Sequence, residues 1–202
     1  MITVGITGAS GPIIGIRLIE ELINSGEAVA AVVSDGAVLT MRYELDINYT
    51  SMRDLILQRK RCTAIESLKE YDNNDFCAPM ASGSSDSRGI IVAPTSMKTL
   101  SSIANGYSDN LITRACDVSL KEKRTCILVP RETPLNLIHI ENMKRAVLAG
   151  AIIVPPIPGF YSKPKTADDI IDFIVGKILN AAKISHSLFE SWETIIQNQK
   201  KS

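Results

Sequence analysis

The densest chemistry in the 202-residue chain lies in DNLITRACDVSLKEKRTCILVPRETPLNLIHIENM, residues 109–143. Arg114 and Lys121 are seven residues apart, two turns of a helix, so both can face one side. Arg131 and Glu132 directly follow the apolar run TCILVP. Three cations and a carboxylate converging on one cleft suit a phosphorylated substrate. The guanidinium groups give paired hydrogen bonds, and the glutamate can move a proton. Lys123 and Arg124 are expected to be solvated charges.

Three further segments carry chemistry. TGASGPIIG (7–15) spaces its glycines as Gly8, Gly11 and Gly15 between a strand and a helix. Backbone N–H groups of Gly8, Ala9 and Ser10, with the positive helix end, can hold an anion. The spacing is not the dinucleotide G-x-G-x-x-G and lacks a P-loop lysine; the plainer reading is a tight turn. In PTSMKTLSSIANG (94–106), Ser96 and Thr99 flank Lys98 at a helix start. That suits a phosphate or a ring system, or else only a helix N-cap beside a solvated charge. In PPIPGFYSKPK (155–165), Tyr161 can donate to a phosphate oxygen or pack as an aromatic.

The elements that must position these groups read as an alternating pattern. ITVGIT (2–7) predicts a strand, and apolar residues from Ile14 to Ile23 predict a helix opened by Pro12 and stopped at Gly26. AVAAVVS (28–34), GIIVAP (89–94), TCILVP (125–130) and AIIVPP (151–156) predict further strands. Helices are expected over 96–104, 136–148 and from about 166 onward. Continuous apolar strands alternating with amphipathic helices imply an α/β three-layer sandwich, Rossmann-like or flavodoxin-like, with a mainly parallel sheet. Its functional loops belong at the carboxyl ends of the strands. Residues 45–88 break the rhythm, and segment 184–202, with the single tryptophan, Trp192, is expected to cap its own domain or dock on a neighbouring subunit. No domain boundary is evident within 1–202.

Composition bounds the function. Lys+Arg and Asp+Glu both number 22, so no basic excess marks a nucleic-acid surface. Forty-five per cent apolar residues suffice for a buried core. Cys62, Cys77, Cys116 and Cys126 form no C-x-x-C, and only His139 and His186 accompany them, so no metal site is expected. Reduced, mostly buried thiols are the expectation. MITVGITGASG has no basic signal region, and no run of about 18 apolar residues predicts a membrane span. A cytoplasmic location follows as an expectation.

Five segments together resemble the flavin prenyltransferases, the UbiX/Pad family: GITGASG (5–11), APMASGSS (78–85), residues 96–124, LVPRETPLNLIHIENM (128–143) and PPIPGFYSKP (155–164). The resemblance runs from the first strand to Trp192. It implies a homo-oligomer, typically a dodecamer, that binds FMN and dimethylallyl phosphate without a metal. The dimethylallyl group would join N5 and C6 of reduced FMN. The prenylated FMN would then serve a UbiD-type decarboxylase in quinone synthesis or aromatic-acid degradation.

By the same resemblance, Gly8, Ala9, Ser10, Ser34, Ser96, Met97, Lys98, Thr99 and Arg131 would contact FMN. Glu44, Arg114, Lys121, Glu132 and Tyr161 match the prenyl-phosphate and catalytic positions, with Ser10 and Glu132 in proton relay. Trp192 matches a tryptophan contributed across a subunit boundary. Lys177 stands where relatives often carry arginine, which keeps the charge but loses the fork. Two alternatives stay open: an FMN-dependent cysteine decarboxylase of the same fold, or a non-catalytic flavin carrier. The decarboxylase signatures PASANT and P-x-M-N-x-x-M-W are absent, as is a histidine early in PIIGIRL. A carrier has no need of a second phosphate site.

Overall fold

A computed structural model describes all residues except Thr63, Ser191 and Ser202, and omits the side chains of Ile195 and residues 198–201. Six strands form one sheet: β1 (Ile2–Ile6), β2 (Val29–Val33), β3 (Leu68–Tyr71), β4 (Gly89–Thr95), β5 (Thr125–Pro130) and β6 (Ile152–Ile153). Their order is β3-β2-β1-β4-β5-β6, and every pairing is parallel. The chain therefore reverses direction across the sheet between β1 and β4. A crevice opens there at the carboxyl ends of the strands.

The alternation of side chains along each strand divides the core in two. Val4, Ile6, Val29, Ala31, Ile91, Ile127 and Val129 face one layer, which holds α1 (Pro12–Asn24) and α7 (Ala167–Ala181). Ala30, Val32, Ile90, Val92, Cys126 and Leu128 face the other, which holds α4 (Met97–Ala104), α5 (Leu111–Lys121) and α6 (Leu137–Leu148). Because both faces are buried, the strands read as unbroken apolar runs.

Residues 35–88 are more ordered than their polarity implies. They hold α2 (Asp35–Leu45), α3 (Met52–Arg59) and β3. Each hides little: α2 buries only Ala37 and Met41, and β3, an edge strand, buries only Leu68. Too few apolar positions leave no clear period in the sequence. The expected strand at 151–156 shrinks to Ile152–Ile153, since Pro155 and Pro156 cannot donate to a ladder. The chain ends in α8 (Trp192–Lys201). Among the four free thiols, Cys116 and Cys126 are buried, Cys62 is half-buried and Cys77 is exposed, so "mostly buried" holds for only half of them.

Buried charge ties α1 to its neighbours. The Glu20 carboxylate, fully buried, accepts from Arg59 Nε of α3 at 2.5 Å and lies 3.7 Å from Arg17 Nη1. Arg17 also bonds Asp172 of α7 at 2.7 Å. Removing Arg59 leaves the buried Glu20 carboxylate with only the longer Arg17 contact, and an under-compensated charge in the interior is costly. Arg59→Ala is expected to cost about 3 kcal/mol, measured by urea unfolding; a loss no greater than that of an exposed alanine substitution would contradict the assignment.

Candidate functional site

The crevice holds a cavity of about 580 Å³. Each of four consecutive strands in the sheet contributes the residues that directly follow it. Thr7, Gly8, Ala9 and Ser10 follow β1; Ser34, Asp35 and Gly36 follow β2; Ser96 to Thr99 follow β4; and Arg131 and Glu132 follow β5. Asn73, Ser102, Asn110 and Ile112 complete the wall.

Helix starts converge on the same space. Ser34 caps α2, accepting from Ala37 N at 3.2 Å, and Ser96 caps α4, accepting from Thr99 N at 3.2 Å. Asn110 caps α5, accepting from Thr113 N at 3.1 Å. Gly11 precedes α1 at φ +90°, and no side chain caps that helix. The first turns of α1, α4 and α5 carry no acidic residue. The α4 and α5 ends are therefore not neutralised and favour an anion in the cavity, whereas the Glu44 carboxylate already sits on the α1 start and Asp35 opens α2. The serines thus combine the plain role, helix cap, with a place on the cavity wall. The Ser96 hydroxyl donates to Thr99 Oγ1 at 3.0 Å, which fixes its orientation.

A small set of bonds holds the floor. Thr7 Oγ1 donates to Pro94 O at 2.8 Å and accepts from Ser96 N at 2.8 Å, locking the β1 turn to the β4 turn. Thr95 Oγ1 donates to Val92 O at 2.7 Å and accepts from Val129 N at 3.0 Å, filling the register shift at the end of β4. Two close approaches require glycine. A Cβ on Gly8 would lie 2.9 Å from Gly36 Cα, and one on Gly15 would lie 2.1 Å from Ala93 O, where α1 rests on β4. The first brings the two turns together on the wall. Behind the first turn, Glu44 Oε2 accepts from Gly11 N at 2.8 Å.

Of the residues singled out in the sequence, Gly8, Ala9, Ser10, Ser34, Ser96, Met97, Lys98, Thr99, Arg131 and Glu132 line this one cavity. Glu44 braces it from outside. The remainder are elsewhere on the chain, so the expected convergence of Arg114 and Lys121 with Arg131 and Glu132 does not occur within one chain. Arg114 and Lys121 do share a face of α5, but it is turned to residues 81–83. Arg114 Nε donates to Ala81 O at 3.1 Å and its Nη1 pairs with Asp117 at 2.7 Å. Lys121 pairs with Glu122 and holds that carboxyl below its usual range by hydrogen bond and charge.

Arg124 is not the solvated charge expected. Its Nη2 donates to Gly83 O at 2.5 Å, and its Nη1 is buried. Lys123 is exposed. Tyr161 packs edge-on against Phe173 and Trp192, with centroids 5.4 and 5.5 Å away. Lys177 borders a second cavity of about 630 Å³, lined by Ile153, Pro155, Ile157, Phe173 and Ile174 among others.

Thr7, Gly36, Asn73 and Asn110 were missed in the sequence. Thr7 ends one predicted strand and Gly36 sits just past another, and the rule of carboxyl ends could have found them. Asn73 follows the unread strand β3 and had no signal. Among the described residues no group of three His, Cys, Asp or Glu stands together as a metal site. No helix among them is long and apolar enough to cross a membrane.

A model of the Flavoprotein family matches residues 1–179. Flavin prenyltransferase UbiX of Methanocaldococcus jannaschii is 47% identical over 194 residues, 96% of this chain and 99% of its own. The crystal structure of AnUbiX in complex with FMN and dimethylallyl pyrophosphate superposes with a TM-score of 0.85. It is 39% identical and covers 95% of this chain and 96% of its own. A dodecameric FMN-dependent UbiX-like decarboxylase from Escherichia coli O157:H7 superposes at 0.83 with 38% identity, over 95% of this chain and 98% of its own. The chain thus belongs to the Flavoprotein family, and within it to the UbiX flavin prenyltransferases.

Thr7→Val removes both side-chain bonds that join the two turns while keeping the side-chain volume; the backbone bond from Thr7 N to Pro94 O at 3.3 Å remains. With Ser96 N left without its partner, stability is expected to fall by about 1–2 kcal/mol. FMN affinity, read by flavin fluorescence titration, is expected to fall on the order of tenfold. Unchanged affinity would show that the turn is held by other means.

Proposed function

We propose that the chain joins the dimethylallyl group of dimethylallyl phosphate to reduced FMN, yielding prenylated FMN. The observation that carries this reading is the convergence of four helix starts with Arg131 and Glu132 on one cavity at the sheet's switch point. A volume of about 580 Å³ lies within the span of roughly 300–1,000 Å³ found for cofactor pockets. The donor set also fits FMN. Backbone N–H groups, Ser10, Ser34, Lys98 and Arg131 suit a phosphate and polar ring edges, while Ala9, Met97 and Ile112 offer apolar surface to a flat ring.

Reduced FMN, when bound, supplies nucleophilic N5 and C6 atoms. The chain's part is to hold two anions and to move protons. Lys98, Arg131 and the helix ends offset phosphate charge in the cavity. Breaking an allylic C–O bond builds negative charge on the departing phosphate, and Arg114, Lys121 and Lys177 stabilise it. Tyr161 and Trp192 give aromatic faces that shelter a positive allylic fragment. Ser10 and Glu132 relay protons, and Glu44 positions the turn.

Arg114, Lys121, Tyr161, Lys177 and Trp192 stand outside their own chain's cavity, which supports a site completed by neighbouring chains. Residues 184–189 pack on their own core and α7, so it is the part of the C-terminal segment from α8 onward that docks on such a neighbour. Exposed apolar residues on and around α6, among them Leu137, Ile138, Val147 and Leu148, favour self-association, and a dodecamer is the size its relative adopts. The product passes to a UbiD-type decarboxylase.

The test is anaerobic incubation with reduced FMN and dimethylallyl phosphate, followed by mass spectrometry of the released flavin. A gain of one C5H8 unit is expected. An unchanged flavin, with the diphosphate donor also tried, would overturn the reading and leave a flavin carrier; carbon dioxide released from a cysteine-ending peptide would mark a decarboxylase. Lys121→Ala is expected to abolish transfer while FMN binding persists. Loss of FMN binding would place Lys121 in the flavin cavity instead.

A further inference from the structure

Five rings form a continuous chain near the C-terminus. Trp192 meets Tyr161 at 5.5 Å between centroids, and Tyr161 meets Phe173 at 5.4 Å. Phe173 meets Phe189 at 4.8 Å, and Phe189 meets His186 at 5.1 Å. The last ring is an imidazole, whose charge changes near neutral pH.

The hydrogen bonds of His186 require its neutral form. Nδ1 accepts from Leu188 N at 3.2 Å, and an accepting nitrogen carries no proton. The proton is therefore on Nε2, which donates to Asn180 Oδ1 at 3.1 Å. An imidazolium would set a second N–H against that of Leu188. The segment lies directly on the α7 backbone: a Cβ on Gly176 would sit 2.7 Å from His186 Cε1 and 2.4 Å from Phe189 Cε1. Ile184 and Leu188 pack into the core beneath.

The groups facing the imidazole are few. α7 presents the Gly176 backbone and the Asn180 side chain, and α1 presents Glu21, itself paired with Arg17 at 2.6 Å. Burial outweighs the Gly176 and Glu21 contributions and lowers the imidazole below its ordinary 6.5.

We propose that neutral His186 is a positioning residue that holds segment 186–189 on α7, seats Trp192 against Tyr161, and releases the aromatic chain on protonation. The proposal rests on the reading that Trp192 and Tyr161 serve the allylic donor. The sign follows from the lowered value. A group depressed in the folded state stabilises above its ordinary value and loses that contribution as pH falls through the folded one. The latch is closed near neutral pH and opens under mild acid, below 6.5.

Trp192 is the single tryptophan, so its emission reports the latch directly in the full-length protein. Between about pH 8 and pH 5, wild-type emission is expected to shift to the red with a midpoint below 6.5. His186→Asn keeps an acceptor where Nδ1 stands but cannot titrate. It is expected to hold wild-type emission and a wild-type KM for dimethylallyl phosphate, with no pH transition. His186→Ala is expected to show the released emission throughout and a KM raised on the order of tenfold, with FMN affinity unchanged. A His186→Asn variant that titrates like wild type, or a His186→Ala variant with unaltered emission, overturns the latch. Emission that responds while KM does not overturns the positioning role, and with it the assignment of Trp192 to the donor site.

Discussion

An all-parallel sheet dictates where this protein can do chemistry. Every parallel strand needs a crossover to reach the next, so the loops that lead into helices all leave from one edge. Helices that follow strands therefore begin at that edge and aim their positive ends at it. Here the order β3-β2-β1-β4-β5-β6 parts the loops between β1 and β4, and the starts of α1, α2, α4 and α5 meet across the opening. An anion site follows from the topology before any charged side chain is counted. Thr7, bonded to Pro94 and Ser96, keeps the two halves of the opening in register.

What the side chains add is division of labour. Arg131 and Glu132 belong to the edge itself, one and two residues past β5. Arg114 and Lys121 belong to a different face, against residues 81–83. Tyr161, Phe173 and Trp192 form a third group near the C-terminus. A net charge of zero conceals this arrangement, because it sums groups that act in separate places. A reaction with two phosphorylated partners needs two sets of cations, and their separation on one chain is what the proposed sharing of the site between chains accounts for.

The layers and the cavity wall were legible in the sequence because burial on both faces leaves apolar runs such as GIIVAP and TCILVP unbroken. The residues just past those runs then fell on the wall, from Ser96 to Thr99 and at Arg131. β3 was illegible because an edge strand with Lys69 and Glu70 on show carries no apolar run. α2 hid for a similar reason, burying two side chains. Helical spacing put Arg114 and Lys121 on one face but could not say which cavity that face serves. That choice is made by packing, and Ala81 O and Glu122 hold them away from their own cavity. Arg124 defied its polar surroundings because the Gly83 carbonyl captures it.

The sharing of the site is tested most directly by mixing two inactive variants. Arg131→Ala disables a cavity and Lys121→Ala disables the cations outside it. When the two proteins are dissociated and reassembled together, hybrid assemblies are expected to recover prenyl transfer, since some cavities then meet an intact neighbour. Mixtures no more active than either parent would show that both residues serve the same chain's site, and would contradict the account.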